Sequence, residues 1–190
     1  MPNWCENTLE IYGDTDKMKE FYDFFGGQDE FVENFSFNNI KTMPQELDGT
    51  RSPSTIVSQE TYDRYTELEK KHNIKDTNDV FKLVEDGTIT EEERDLVWAE
   101  GITQEMSDRL ISEYGYDNWY DWRNKNWGTK WDIKGEVHVD DLHDEGCTLI
   151  FQTAWSPPEP IVYKLQEMFP DITFYGGYIG EGWEFAGVFE

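Results

Sequence analysis

Acidic side chains are concentrated in one stretch near the middle of the chain. Carboxylates at short intervals on short helices can form an array that meets the lysines and arginines of a basic partner. Nine such residues fall between positions 85 and 108. They are Glu85, Asp86, Glu91, Glu92, Glu93, Asp95, Glu100, Glu105 and Asp108. We predict that these nine are partner-binding residues; the alternative is a solvated helix surface.

The charge of the whole chain favours the same class of partner. Its 190 residues include 16 basic and 41 acidic side chains, for a net charge of −25. Such a chain repels nucleic acid and anionic membranes at neutral pH, so we expect it to bind neither directly. B-DNA carries one charge per ~1.7 Å, so this charge equals that on roughly 42 Å of duplex. The protein can therefore occupy a DNA-binding surface as a mimic of the duplex.

A second candidate site is the segment from His138 to Cys147, which combines imidazoles, carboxylates and a thiol. These groups are ligands for zinc or manganese. The spacing between His138 and His143 matches no established zinc pattern, however, and Cys147 is placed to begin a strand. We therefore expect an acidic turn without a bound metal or cofactor. The alternative is a metal-dependent hydrolase that uses this hairpin.

A third candidate is a group of tryptophans in the second half of the chain. They are Trp119, Trp122, Trp127, Trp131 and Trp155. Their rings can stack on bases or sugars, or cover a partner protein. Residues 121–134 carry four basic and two acidic side chains, but the rest of the chain opposes a phosphate polymer. We expect these rings to belong mainly to the core; the alternative is a structural or assembly module that binds partners through them.

Hydrophobic periodicity and capping residues predict the elements that position these candidates. Residues 7–12 alternate and indicate a strand, and a helix follows, ending at Gly26. The aromatic segment 31–40 predicts a second extended segment. From Ser58 to Asp117, apolar residues recur at helical spacing among charged ones. Within this region, Thr90 and Glu93 have the spacing of a capping box.

The remainder of the chain returns to strand patterns. Residues 136–140 and 147–153 predict an antiparallel hairpin, and a proline-rich start predicts a helix over 161–168. Two further strands are predicted at 172–178 and 183–189. The order β, α, β, insertion, β, α, β is typical of the ferredoxin-like split βαβ arrangement.

The predicted fold class is therefore α+β, with a ferredoxin-like antiparallel sheet and a helical insertion between its two halves. Residues 1–56 form the first half, and residues 57–120 form an inserted acidic helical subdomain. Residues 121–190 form the second half with a C-terminal hairpin. The insertion alone carries 17 acidic and 7 basic side chains.

Four short motifs carry a resemblance to a known family. They are MPNWCEN at 1–7, NWGTKWD at 126–132, TAWSPP at 153–158 and GWEFAG at 182–187. These motifs resemble the YubB-type ferredoxin-like proteins of bacteriophages and conjugative plasmids. The resemblance implies a ferredoxin-like fold and a mobile genetic element as the setting, and it supplies no catalytic residues or iron–sulfur cluster.

Together these features predict an accessory protein of a phage or plasmid that is not an enzyme. It would bind and inhibit a basic host protein such as a defence nuclease, as anti-CRISPR or anti-restriction proteins do. We expect it to act in the host cytoplasm. The chain has two cysteines, no N-terminal signal pattern and no apolar run near the ~18 residues that span a bilayer.

Overall fold

The computed structural model describes residues 3–133 and 137–189. Lys134 and Glu136, where the positive segment was predicted to end and a strand to begin, lie outside the described residues. The chain divides into two compact units. The sheet unit comprises Met1–Met43 and Arg123–Glu190, and the helical unit comprises Pro44–Trp122.

The sheet unit is built on an antiparallel sheet, which has five strands within the described residues. They are β1 (Trp4–Tyr12), β2 (His138–His143), β3 (Gly146–Ala154), β4 (Thr173–Gly180) and β5 (Ala186–Phe189). Their order in the sheet is β2-β3-β1-β4-β5, and every neighbouring pair is antiparallel. The first four strands of this order form the ferredoxin-like arrangement. The predicted fold class is confirmed.

The sheet unit contains the helices α1 (Thr15–Phe24), α2 (Phe31–Asn34), α3 (Phe37–Ile40) and, after β3, α9 (Glu159–Met168). Two of these helices, α2 and α3, were not predicted from the sequence. The prediction of an extended segment over residues 31–40 is wrong, because α2 and α3 occupy it. The sheet's second strand is β2, so the helical insertion precedes that strand.

Side-chain oxygens at the start of α3 explain this difference. The Asp132 carboxylate accepts the backbone N–H groups of Phe37 and Asn38, at 2.7 and 3.2 Å. Ser36 Oγ accepts the N–H of Asn39 at 3.1 Å. These bonds satisfy the free donors at a helix start. These backbone donors are therefore satisfied without pairing to a neighbouring strand.

Aromatic rings dominate the core of the sheet unit. Phe21 of α1 lies at the centre, and its ring centroid is 5.2 to 5.9 Å from five neighbours. They are Tyr22, Phe25, Phe31, Phe169 and Phe174. All five pairs are edge-to-face, an arrangement that the ring quadrupoles favour. Alternate residues of β1 face the same core, as the predicted strand pattern requires.

The side-chain amide of Asn7 is a buried polar group in this core, and it is hydrogen-bonded. Asn7 is completely buried on β1. Its amide Nδ2 donates to the backbone oxygen of Cys5 at 3.0 Å and to Thr153 Oγ1 at 2.9 Å. A further bond reaches the backbone oxygen of Phe151 at 3.3 Å. Because these bonds offset the cost of burying the amide, Asn7 ties β1 to β3.

The helical unit consists of short helices with side-chain caps. A 3₁₀ turn (Gln45–Leu47) precedes α4 (Gln59–His72), α5 (Thr77–Glu85), α6 (Glu91–Trp98), α7 (Gln104–Tyr114) and α8 (Trp119–Asn126), whose last residues belong to the sheet unit. Oxygens of Ser58, Asp76, Thr90 and Thr103 accept backbone N–H groups at four helix starts. The capping box predicted for Thr90 and Glu93 is present. A small apolar cluster of Val80, Ile89 and Val97 joins α5 and α6.

The helical unit begins at residue 44, whereas the insertion was predicted to begin at residue 57. Thr50 Oγ1 accepts the backbone N–H of Trp119 at 3.0 Å. The oxygen of Thr55 accepts the N–H of Ile102 at 2.9 Å, and the oxygen of Ile102 accepts the N–H of Val57 at 3.0 Å. These bonds attach the segment before α4 to the helices that follow it.

Replacement of Phe21 by alanine should destabilise the sheet unit by about 3–5 kcal/mol, since it removes the ring at the centre of the cluster. Phe24→Ala is the matched control, because the Phe24 side chain on the same helix is 44% exposed. Urea unfolding measures both. Equal losses for the two variants would contradict the central position of Phe21.

The Asp117 carboxylate should stabilise the helical unit through its hydrogen bonds. Its carboxylate accepts Ser107 Oγ at 2.6 Å and Ser54 Oγ at 2.7 Å. Burial raises the pKa of Asp117, but bonds from Ser107, Ser54 and Asn118 outweigh burial and lower it. We expect Asp117→Ala to cost about 2 kcal/mol in urea unfolding near pH 7.

The lowered pKa of Asp117 also fixes the sign of a pH effect. Its stabilisation is complete above the unfolded-state pKa and is lost as the pH falls through the lower folded-state pKa. The stability difference between the parent protein and Asp117→Ala should therefore shrink in acid. A difference that is constant from neutral pH to below the folded-state pKa would argue against this assignment.

Candidate partner-binding surface

The acidic residues of α6 divide by the helix face on which they lie. Val97 faces the core, and at 3.6 residues per turn Glu91, Glu92 and Asp95 lie on the opposite, exposed side. Asp95 pairs with Arg94 at 2.7 Å. Glu91 and Glu92 form no ion pair or side-chain hydrogen bond among the described residues. Both lie in the first turn of α6, where the helix dipole favours a negative charge, and their oxygens remain in solvent.

Two of the predicted residues serve the local backbone instead. Glu93 Oε2 accepts the N–H of Thr90 at 2.8 Å, and bonds from the Thr90 backbone and hydroxyl lower the pKa of Glu93. Asp86 Oδ1 accepts the N–H of Thr88 at 2.9 Å, and bonds from the Thr88 side chain and backbone lower the pKa of Asp86. Both groups stay ionised, but their oxygens are already engaged.

The acidic residues of α7 are also divided between paired and unpaired groups. Asp108 accepts a bond from the Gln104 amide at 2.8 Å. Arg109, exposed on the same helix, pairs with Glu46 at 2.6 Å and approaches Glu113 at 3.6 Å. Glu105 is exposed in the first turn and has no hydrogen bond or ion pair among the described residues.

Of the remaining two predicted residues, Glu85 is unpaired among the described residues and Glu100 is paired. Glu85 is the last residue of α5, is exposed, and has no pairing group within the described parts of the chain. A negative charge at a helix C-terminus opposes the helix dipole, so this position does not stabilise α5. Glu100 is half-buried and pairs with Arg51 at 3.1 Å.

The nine predicted residues therefore fall into two groups. Five of them have a partner within the helical unit. Four are exposed and unpaired among the described residues: Glu85, Glu91, Glu92 and Glu105. We call these four the free carboxylates. They are the members of the predicted set that remain available to another molecule.

The metal candidate in the β2–β3 hairpin does not converge on one point. His138 Nε2 contacts Asp140 Oδ1 at 2.9 Å on an exposed side of β2. His143 Nδ1 accepts the N–H of Glu145 at 3.1 Å. Cys147 is buried in the core, and burial raises the pKa of its thiol to about 11. In the described part of the chain, no three His, Cys, Asp or Glu side chains are grouped to hold a metal ion.

The five tryptophans are divided between the two units. Trp119 and Trp122 belong to the helical unit, and the other three belong to the sheet unit. Trp122 and Trp127 are buried, as expected for core residues. In the sheet unit, Lys130 Nζ lies 4.7 Å from the ring centroid of Trp131 and 5.4 Å from that of Trp155. Trp155 is 51% exposed.

Of a group of polar residues inside the helical unit, only Glu100 was predicted from the sequence. Arg51, Glu69 and Glu100 line the same cavity, together with Tyr62 and Tyr65. Their positions are too far apart in the sequence to form a local motif. The signal that points to them is the single arginine between residues 44 and 56, in an acidic segment.

No helix among the described residues combines the length and the apolar character needed to cross a membrane.

Comparisons with known proteins extend the fold assignment. Residues 126–190 match the family model described as the ferredoxin-like domain in Api92-like protein. This range contains β2, β3, α9, β4 and β5. A crystal structure of the protein Api92 from Yersinia pseudotuberculosis is 13% identical, with a TM-score of 0.44; the match covers 99% of this chain and 93% of that chain. No curated protein matches the sequence.

The cap at the start of α6 gives a test of how its acidic residues are used. Thr90→Ala removes the acceptor of the Glu93 N–H and should destabilise α6 by about 1 kcal/mol. Glu91→Gln should cost less, because its side chain makes no contact of this kind. Amide hydrogen exchange in α6 measures both effects. Faster exchange in Glu91→Gln than in Thr90→Ala would contradict the division between engaged and free carboxylates.

Proposed function

We propose that this protein binds a basic protein through the acidic helices α5, α6 and α7, and inhibits that protein by covering its surface. The observation that supports the proposal is the set of free carboxylates. They are exposed, they have no pairing group among the described residues, and one of them opposes a helix dipole. The other three lie in the first turns of α6 and α7, where the helix dipole favours each negative charge by about 0.3–1 kcal/mol, and their oxygens remain open to a partner.

Electrostatic physics explains what such a surface can do. Negative charges held close together repel one another, and a partner that brings lysine or arginine side chains relieves this repulsion. Long-range attraction also raises the association rate at low ionic strength. Exposed ion pairs contribute about 0.2–1 kcal/mol each, so affinity requires several of them acting together. A surface of several carboxylates meets this requirement.

The partner class follows from the same charge argument. Proteins that bind nucleic acid present lysine and arginine to phosphates, and an acidic protein can occupy those side chains. We therefore propose a nucleic-acid-binding host protein, such as a defence nuclease, as the target. The resemblance of four motifs to phage and plasmid proteins implies a mobile genetic element as the setting, and within that setting we propose a counter-defence role of the anti-CRISPR or anti-restriction type in the host cytoplasm.

No specific observation favours the competing functions. The potential metal ligands of the β2–β3 hairpin lie on opposite sides of the sheet. Among the residues that the structure describes, they do not form a metal centre that a hydrolase could use. Two of the five tryptophans, Trp122 and Trp127, are buried, which removes their rings from a partner-binding surface. The acidic helices remain the feature that a function explains best.

The first test is capture of host proteins on the immobilised protein, followed by elution with increasing salt. A basic protein should elute at moderate salt, and a DNA duplex of about 12 base pairs, matched in charge, should displace it. Capture of no basic protein, or binding that does not respond to salt, would contradict the proposal.

Charge-neutral variants then locate the surface. The triple variant Glu91→Gln, Glu92→Gln and Glu105→Gln should slow association with the captured partner about tenfold, from the loss of three exposed ion pairs. The salt dependence of the rate should become shallower. Stopped-flow or biosensor kinetics over a range of ionic strength measure both effects.

A matched triple variant in the sheet unit is the control. Asp16→Asn, Asp29→Asn and Glu33→Gln remove the same charge from exposed positions of that unit. If binding depends on total charge alone, the control will slow association as much as the first variant. This result would remove the assignment to the acidic helices.

A further inference from the structure

A cavity of about 220 Å³ lies within the helical unit. The segment before α4, α4 itself and the residues around Gly101 form its walls. Two tyrosine rings of α4 line it, Tyr62 and Tyr65, with centroids 5.3 Å apart in an edge-to-face arrangement. The Tyr65 hydroxyl donates to the backbone oxygen of Gly101, which fixes that ring in place. The cavity therefore has a rigid aromatic wall.

Charged side chains on the cavity are not balanced. Glu69 and Glu100 both line it, and Arg51 is the basic residue among its lining residues. Arg51 is already engaged, because it contacts Glu100 at 3.1 Å and donates to the backbone oxygen of Trp98 at 2.8 Å. The Glu69 carboxylate has no hydrogen bond among the described residues. One carboxylate is therefore without a compensating contact.

The surroundings of Glu69 disfavour its negative charge. Burial raises the pKa of this carboxyl, the nearby Glu100 raises it further, and Arg51 lowers it only in part. A second cavity of about 250 Å³ shares Arg51, Glu69 and Glu100 with the first. The carboxylates consequently border open space on two sides. An added cation would stabilise them.

The size and chemistry of the cavity limit what can enter. Its volume is below the ~300 Å³ at which pockets for drug-sized ligands begin, so one side chain is a better match. Aromatic rings attract cations over their faces, and guanidinium groups do so more often than ammonium groups. Guanidinium is also planar, weakly hydrated and able to form paired bonds to a carboxylate. Arginine fits these walls better than lysine does.

We propose that this cavity receives an arginine side chain of the basic partner, with the Glu69 carboxylate accepting its N–H groups and the Tyr62 ring contacting its face. The inference rests on the proposed function, to which it adds a specific anchor. The free carboxylates supply long-range attraction, while the cavity selects one guanidinium. Anchors of this kind, in which an arginine fills a pocket, commonly dominate protein interfaces.

The test uses a small probe in place of the partner. N-acetyl-L-arginine amide is titrated into the isotopically labelled full-length protein at pH 7, with N-acetyl-L-citrulline amide as its neutral isostere. Chemical shift changes should appear at residues that line the cavity, and only with the arginine probe. The NMR spectra also show whether each variant remains folded.

Variants on one helix provide the matched comparison. Glu69→Gln should weaken binding of the arginine probe at least tenfold, and Glu67→Gln, which changes an exposed carboxylate two residues away, should leave it unchanged. Tyr62→Leu should weaken binding several-fold and supplies a second variant of the same cavity. Equal binding of the citrulline probe, shifts located elsewhere, or no effect of Glu69→Gln and Tyr62→Leu would overturn the inference.

The probe experiment separates this inference from the proposed function. Arginine binding in the cavity without any basic partner in the capture experiment would preserve the cavity assignment and contradict the proposed function. Partner binding that depends on Glu91, Glu92 and Glu105, together with failure of the arginine probe to bind the cavity, would preserve the proposed function and contradict the cavity assignment.

Discussion

Repulsion among the 41 acidic side chains is the constraint that the rest of this structure has to satisfy. Many carboxylates avoid part of that cost by accepting backbone N–H groups. Asp132 caps α3, Asp76 caps α5, and Glu93 completes the capping box of α6. Asp117 instead gathers two serine hydroxyls. In each case a negative charge gains hydrogen bonds that it would otherwise make with water, so charge and local structure support each other.

The two units meet this constraint differently. The sheet unit buries a large aromatic cluster around Phe21, and hydrophobic burial is the dominant favourable term in folding. The helical unit has short helices and a smaller apolar cluster of Val80, Ile89 and Val97. Its stability therefore depends more on caps and on Asp117. Within this unit, Glu85 at the end of α5 and the partly buried Glu69 have no stabilising contact among the described residues, and the proposed partner would supply one.

The sequence predicted features that depend on local chemistry. Alternation in β1, the capping box at Thr90 and the β2–β3 hairpin followed by α9 all follow from neighbouring residues. The segment 31–40 was predicted wrongly because Asp132, far away in the sequence, supplies the cap of α3. The division of the acidic residues into engaged and free groups could be predicted only in part. The use of Glu93 follows from the predicted capping box, whereas the pairing of Glu100 with Arg51 joins residues that no local pattern connects.

Zero-length carbodiimide cross-linking of the protein to its captured partner shows whether the acidic helices contact that partner. The reagent joins a carboxylate to a lysine in contact with it, and mass spectrometry identifies the pair. We expect links from Glu91, Glu92 and Glu105 to partner lysines, and their loss at high salt. Links confined to carboxylates of the sheet unit would contradict this expectation, because the acidic helices would then lie outside the interface.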